Sequence, residues 1–169
     1  AGAVETGGIL IGHVCHDDGI GDTGVVVTAQ IPARQAEGES KKLTFTPETW
    51  AAVQAALMLR RSDEAWLGWW HSHPAKYWCA PCPTERRRDC PLMGSFFSTD
   101  DVCLHQSVFS KAYMVALVVT HADAGLSHAL FGWRDGVVCP RGFHVRPGNR
   151  PMLAVASSPN PENSIYEKI

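Results

Sequence analysis

The stretch Ala65-Trp66-Leu67-Gly68-Trp69-Trp70-His71-Ser72-His73-Pro74 sets an apolar run against two histidines and a proline. Read as a β-strand, its side chains alternate, so His71 and His73 fall on one side. Pro74 has no N–H for a sheet ladder and closes the strand. Two imidazoles on one face at a strand end are well placed to grip one metal ion. The rest of the chain can be read as what that pair needs.

Upstream, Thr46-Pro47-Glu48 is a helix start: an N-cap threonine, proline at the first helical position and an acid in the first turn. Trp50, Val53 and Leu57 follow at helical spacing, which predicts one apolar stripe and a helix to about Arg61. Before it, Val4–Val14, Gly24–Ile31 and Lys42–Thr46 read as strands, Cys15–Gly24 as a turn, and Pro32–Ser40 as a mobile loop.

Downstream, Ala75–Phe97 is a compositional break with Cys79-Ala-Pro-Cys82, the basic run Arg86-Arg87-Arg88 and Cys90-Pro91, and it reads as an insertion. Ser98-Thr99-Asp100-Asp101 then opens a helix through about Phe109. Tyr113–His121 and Ser127–Trp133 read as strands. Asp135-Gly136 is a hairpin signal leading to Val137–Cys139, and Phe143–Val145 reads as one more short strand. The order β-β-β-α-β-(insert)-α-β-β-β predicts an α/β fold, a mixed sheet flanked by helices. One domain is expected over 1–146, with 147–169, rich in Pro, Asn and Ser, as a poorly ordered tail.

Composition bounds the function. The 169 residues are 45% hydrophobic and 19% charged, ordinary for one globular domain with a real core. A net charge of −2 gives no pull toward nucleic acid or a membrane surface. No apolar run approaches the ~18 residues of a membrane span. The first residues show no basic segment of a secretion signal, so the six cysteines are expected as thiols or metal ligands in a reducing, cytoplasmic compartment. The chain starts without Met and almost directly in an apolar segment, as a trimmed piece would.

A catalytic zinc takes three protein ligands and leaves one position for water. With His71 and His73 as two, the third should be a His, Cys or carboxylate brought near by the fold, and Asp101 is the candidate. Water on such a zinc has its pKa lowered from about 15.7 toward ~7. Glu5, in an apolar strand beside glycines, suits the acid/base that moves the proton to a leaving amine. Ser98 can donate to a developing oxyanion.

Glu5-Thr-Gly-Gly-Ile-Leu-Ile-Gly, His71-Ser-His-Pro74 and Ser98-Thr-Asp-Asp101 together resemble the motif of the JAMM (MPN, Mov34-type) metalloproteases: an early Glu, then H-[S/T]-H-P, then S-x-x-D. The resemblance spans most of residues 1–145. It implies a cytidine-deaminase-like fold and a zinc-dependent isopeptidase, deubiquitinase-like, acting at the C-terminus of ubiquitin or a ubiquitin-like protein. It makes His71, His73 and Asp101 zinc ligands, Glu5 the acid/base working through water, and Ser98 the oxyanion donor, and its spacing selects Asp101 over Asp100. The substrate's extended tail would add a strand to a sheet edge near the zinc. A small stand-alone domain looks most like the prokaryotic branch, with activating and conjugating enzymes of a bacterial ubiquitin-like operon as partners. The other readings are a non-catalytic MPN-type scaffold, and a hydrolase maturing a sulfur-carrier protein or acting on a small molecule.

Two departures stand out. The 24 residues from Pro74 to Phe97 far exceed the family's spacing, and only four residues precede Glu5. In the insertion, Cys79, Cys82 and Cys90 make three-quarters of a second, structural zinc site, with Cys103, His105, Cys15 or His16 as the fourth ligand. Some JAMM deubiquitinases resemble this in carrying such a zinc near the active site. Leaving directly after His73, the insertion is expected to overhang the site, with Trp70 and Trp78 as candidates to line the substrate groove. Arg86–Arg88 would face an acidic partner surface. The remaining histidines read as surface or strand residues, and the other tryptophans as core.

Overall fold

Strand β3 (Ala65–His73) lies third in a six-stranded sheet, and the site hangs from its carboxyl end. The structure is a computed structural model, and it describes residues 4–17, 22–33, 43, 45–60, 63–87 and 89–145. Element by element it runs β1 (Gly7–Asp17), β2 (Asp22–Pro32), α1 (Pro47–Leu59), β3, α2 (Ala75–Trp78), α3 (Thr84–Arg87), a 3-10 turn (Pro91–Met93), α4 (Thr99–Val108), β4 (Val115–Ala122), β5 (Gly125–Arg134) and β6 (Val137–Arg141). The sheet order is β2-β1-β3-β4-β5-β6. Neighbours are antiparallel except β3 and β4, which are parallel and joined by a crossover through α4. The molecule is thus α/β with a mixed sheet, as the element order implied.

Local chemistry explains most boundaries. Thr46 caps α1, its side chain accepting from the Thr49 N–H, and Pro47 opens the first turn. Asp135 and Gly136 both have positive φ, 51° and 78°, so the β5–β6 hairpin is a two-residue type I′ turn. Gly68 has φ 150°, and a Cβ there would collide with the Val115 carbonyl of β4. At this point β3 breaks strict alternation. Leu10 faces Gly68 while Ile11 faces Trp66, so Leu67 is the extra residue of a bulge. The bulge lets Trp66 and Trp69, three apart, both reach Phe109, at ring distances of 5.7 and 5.8 Å.

The core lies where β3, β4 and β5 meet the inner faces of α1 and α4: Ile9, Val53, Trp69, Phe109, Met114, Ala116, Val118 and Phe131 are buried together. At the entry to β3, Glu64 accepts from Arg60 at 2.6 Å and from Thr28 at 2.6 Å, fastening the end of α1 and the bulged middle of β2 to the strand. These bonds pull the Glu64 carboxyl down to about 2.

Several expectations are corrected. β1 and β2 run through most of the stretch read as a turn, to Asp17 and from Asp22. No strand forms at Phe143–Val145, which follows β6 as irregular chain. The insertion holds two short helices and a 3-10 turn. Lys42 and Thr44 of the expected third strand, most of the Pro32–Ser40 loop, and the tail 147–169 lie outside the described residues. Among the described residues no helix is long and apolar enough to cross a membrane.

Candidate metal centre

His71 and His73 project from the end of β3 into the protein, both essentially fully buried. Their Nε2 atoms face each other at 2.9 Å, and the rings meet at a steep angle. Asp101 comes from the first turn of α4, on the crossover between β3 and its parallel partner β4. Its position is set by a capping box. Ser98 Oγ accepts from the Asp101 N–H at 3.1 Å, and Asp101 Oδ2 accepts from the Ser98 N–H at 2.8 Å and from the Ser98 hydroxyl at 2.7 Å. With Oδ2 so engaged, Oδ1 is left to face His71 Nε2 at 3.5 Å. One ligand atom from each of the three lies within 4.8 Å of the others, and among the described residues no other three ligating side chains converge so.

The donor set fits a zinc ion. Two ligands each ~2.05 Å from a tetrahedral ion stand about 3.3 Å apart. The His71–His73 and His71–Asp101 separations, 2.9 and 3.5 Å, bracket that distance, and the third, between His73 and Asp101, is no more than 4.8 Å. Both Nδ1 atoms are buried without a hydrogen-bond partner. Two buried imidazoles aimed nitrogen to nitrogen beside a carboxylate are costly in an apolar core unless a cation gathers them. Burial, reinforced by His71 and partly offset by Asp101, pushes His73 down to about 4, so it is neutral at pH 7, the form that binds metal. Burial pushes Asp101 up, but His71 and the two Ser98 donors outweigh it and hold the carboxyl below its ordinary range.

Glu5 sits just ahead of β1, placed by the residue after it. The Thr6 N–H donates to Ser72 Oγ at 3.0 Å, and the Ser72 N–H donates to the Thr6 carbonyl at 2.7 Å. Ser72 therefore uses the strand face opposite the histidines to hold the catalytic candidate's chain against β3. Burial raises the Glu5 carboxyl, Asp101 adds to this, and His71 and the Leu43 N–H oppose it. A carboxyl raised in this way holds a proton more readily than an exposed one, as an acid/base needs.

Glu5, His73, Ser98 and Asp101 all line one cleft of about 600 Å³. Its other walls are mostly apolar: Leu43, Phe45, Trp50, Leu104 and Val108, with Trp78, Leu92 and Phe96 from the insertion, while Thr99 and Asp100 add polar groups from the first turn of α4. Trp78 and Phe96 both lie against His73, at ring distances of 5.3 and 4.5 Å, so the insertion does border the site. Trp70 does not line the cleft. It alternates to the other face of β3, where its indole donates to Gln30 Oε1 at 3.1 Å.

The cysteines behave differently. Cys79 and Cys90 bring their sulfurs to 3.7 Å, but Cys82 does not complete a converging set of three. None of the residues considered as a fourth ligand joins them in such a set among the described residues. Cys15, His16 and Cys103 are exposed, and His16 meets Thr23.

His105 is buried, and it was missed as a partner of the site. Its Nδ1 accepts from the Trp69 indole at 3.2 Å, and the Trp69 rings stack on His71 at 4.7 Å and 16°. Burial pushes His105 down to about 4, the Met114 backbone pulling slightly the other way. The available signal was its spacing: it falls one helical turn after Asp101, on the same face of α4.

No family model matches the chain, and no curated protein matches it. Among solved structures it is similar to the solution structure of a protein from Desulfitobacterium hafniense, at 17% identity and a TM-score of 0.49, over 82% of this chain and 76% of that one. It is also similar to the solution structure of a protein from Salinibacter ruber, at 20% identity and a TM-score of 0.45, over 88% of this chain and 81% of that one.

Proposed function

We propose that the chain is a zinc-dependent isopeptidase of JAMM/MPN type that cleaves after the C-terminus of a ubiquitin-like protein, in deconjugation or precursor processing. One observation carries the reading: three motif pieces far apart in sequence meet at a single cleft, with Glu5, His73, Ser98 and Asp101 on its wall and His71 immediately behind. The mixed α/β sheet, with the site at the carboxyl end of a parallel strand, is compatible with the cytidine-deaminase-like arrangement the motif implies.

His71, His73 and Asp101 would hold the ion, which supplies Lewis-acid activation of water and carbonyl at neutral pH. Glu5 takes the proton of the attacking water and returns it to the leaving amine. Its raised affinity for a proton serves both halves of that transfer. Ser98 donates to the developing oxyanion by turning its hydroxyl from Asp101 Oδ2, while its backbone N–H keeps Asp101 in place. Trp78 and Phe96 pack over His73 and limit water at the reacting bond. The partners fitting this chemistry are a ubiquitin-like protein and its conjugates, with the activating and conjugating enzymes that make them.

The test is incubation with a ubiquitin-like protein fused through its C-terminus to a reporter, with and without a chelator. The wild type should release the reporter at that junction, and the chelator should stop it. Glu5→Ala should slow cleavage by about 10²–10⁴-fold. Cleavage by Glu5→Ala at the wild-type rate would refute the mechanism.

A further inference from the structure

The insertion contains a second reactive arrangement, which goes beyond the hydrolytic reading and does not depend on it. Cys79 is buried at the end of α2, and Cys90 is half-buried ahead of the 3-10 turn. Their sulfurs stand 3.7 Å apart, so an approach of about 1.7 Å brings them to the ~2.05 Å of a disulfide. The loop between them is fixed to the body. Arg87 donates to the carbonyls of Ala80 and Cys82, at 2.5 and 2.8 Å, and reaches Asp123 of the β4–β5 turn at 3.9 Å. Cys82, three residues after Cys79, does not converge with the other two as a metal set would.

The positions flanking the pair give it a consequence. Trp78, next to Cys79, and Leu92 and Phe96, just beyond Cys90, are walls of the cleft. We propose that Cys79 and Cys90 are a disulfide-forming site that fastens these walls to each other when the pair is oxidised.

The chemistry needs a small-molecule disulfide such as oxidised glutathione. The more accessible Cys90, as thiolate, attacks one glutathione sulfur, the glutathione S–S bond breaks, and the first glutathione thiolate leaves and takes up the released proton. Cys79 then attacks the Cys90 sulfur of the mixed disulfide, its proton goes to the second glutathione thiolate, and the Cys79–Cys90 bond is formed. Two protein thiols are oxidised and one glutathione disulfide is reduced to two thiols. Burial first, then the nearby Cys90 and Cys82, raise the Cys79 thiol against a smaller opposing pull from Arg87, which makes Cys79 the poorer first attacker.

The test uses the whole chain, equilibrated with oxidised glutathione or with dithiothreitol, then alkylated and mapped by mass spectrometry. Of six thiols, four should remain free after oxidation, with a Cys79–Cys90 crosslink in the wild type and in Cys82→Ser, and none in Cys90→Ser. Hydrogen exchange of peptides within 75–97 should slow on oxidation and recover on reduction. The proposal is overturned if all six thiols stay free, if Cys82 takes a place in the main crosslink, if native and urea-unfolded protein give the same mixture of pairings, or if the crosslink leaves exchange unchanged. None of these readouts requires a substrate, so a failure here is distinct from a failure of the hydrolase reading.

Discussion

The two histidines of β3 stand on a strand paired on both sides, and their third partner is held by a capping box with both ends of its hydrogen bonding satisfied. The three cysteines lie in the caps and turns around two four-residue helices and a 3-10 turn, in a segment tied to the sheet by side chains, with Ser95 bonded to Thr120 and Ser127 and Arg87 facing Asp123. The first set converges on a point, and the second yields a pair. A metal centre needs ligand atoms fixed to within a fraction of an ångström, and a sheet ladder with a side-chain-capped helix supplies that. A short-helix insertion does not, so its chemistry falls to a contact that needs only two groups.

The sharpest way to break this contrast is to remove one candidate side chain from each region. His73→Ala should weaken zinc by more than the ~100-fold that changes in the outer layer of a metal site reach. Cys82→Ser should leave it within about twofold. Titration calorimetry decides, and equal losses in the two variants would erase the distinction. Next comes a separation of binding from chemistry. Glu5→Gln should keep zinc affinity while losing about 10²–10⁴-fold in cleavage rate, whereas a fall in affinity to match would make Glu5 a ligand.

Backbone rigidity can be compared directly through two glycines. At Gly68 an added methyl strikes the Val115 backbone, so Gly68→Ala should destabilise by about 1–3 kcal/mol or more in urea unfolding. In the insertion, a methyl on Gly94 meets only the Pro91 carbonyl at 3.6 Å, and Gly94→Ala should stay within about 0.5 kcal/mol. A similar cost at both sites would show the insertion to be as tightly built as the sheet. Trp69→Phe removes the donor to buried His105 and should cost about 1–3 kcal/mol.

A further effect is in pH. His105 is lowered to about 4 in the folded chain against 6.5 when unfolded, so the unfolded chain takes the proton first as pH falls. Its contribution is fully present above about pH 6.5 and is lost progressively down to about 4. The slope of unfolding free energy between pH 7.5 and 5 should therefore be shallower in His105→Phe than in the wild type, and identical slopes would contradict the assignment.

Much of the site was legible because its cues are local. Alternation put His71 and His73 on one side, Pro74 marked the strand end, and Ser98-Thr99 ahead of two acids marked a helix start, which the structure resolves as a Ser98–Asp101 capping box. Asp135-Gly136 specified its turn for the same reason. What stayed hidden depends on contacts across the fold. The bulge at Leu67 answers to pairing with β1, and it decides that Trp66 and Trp69 share a face. Trp70 looked like a groove residue by proximity in sequence, but the period of two turns it away. The role of His105 requires knowing that α4 lies over Trp69. The insertion's short helices have no apolar period long enough to read.

The most direct test of the central claim, that the one resident metal lies between β3 and α4, is elemental analysis of zinc per chain in the wild type, in Asp101→Ala and in the Cys79, Cys82 and Cys90→Ser variants. The account expects about one zinc per chain in the wild type, retained in each cysteine variant and lost or sharply reduced in Asp101→Ala. Zinc that leaves with the cysteines and persists without Asp101 would contradict it.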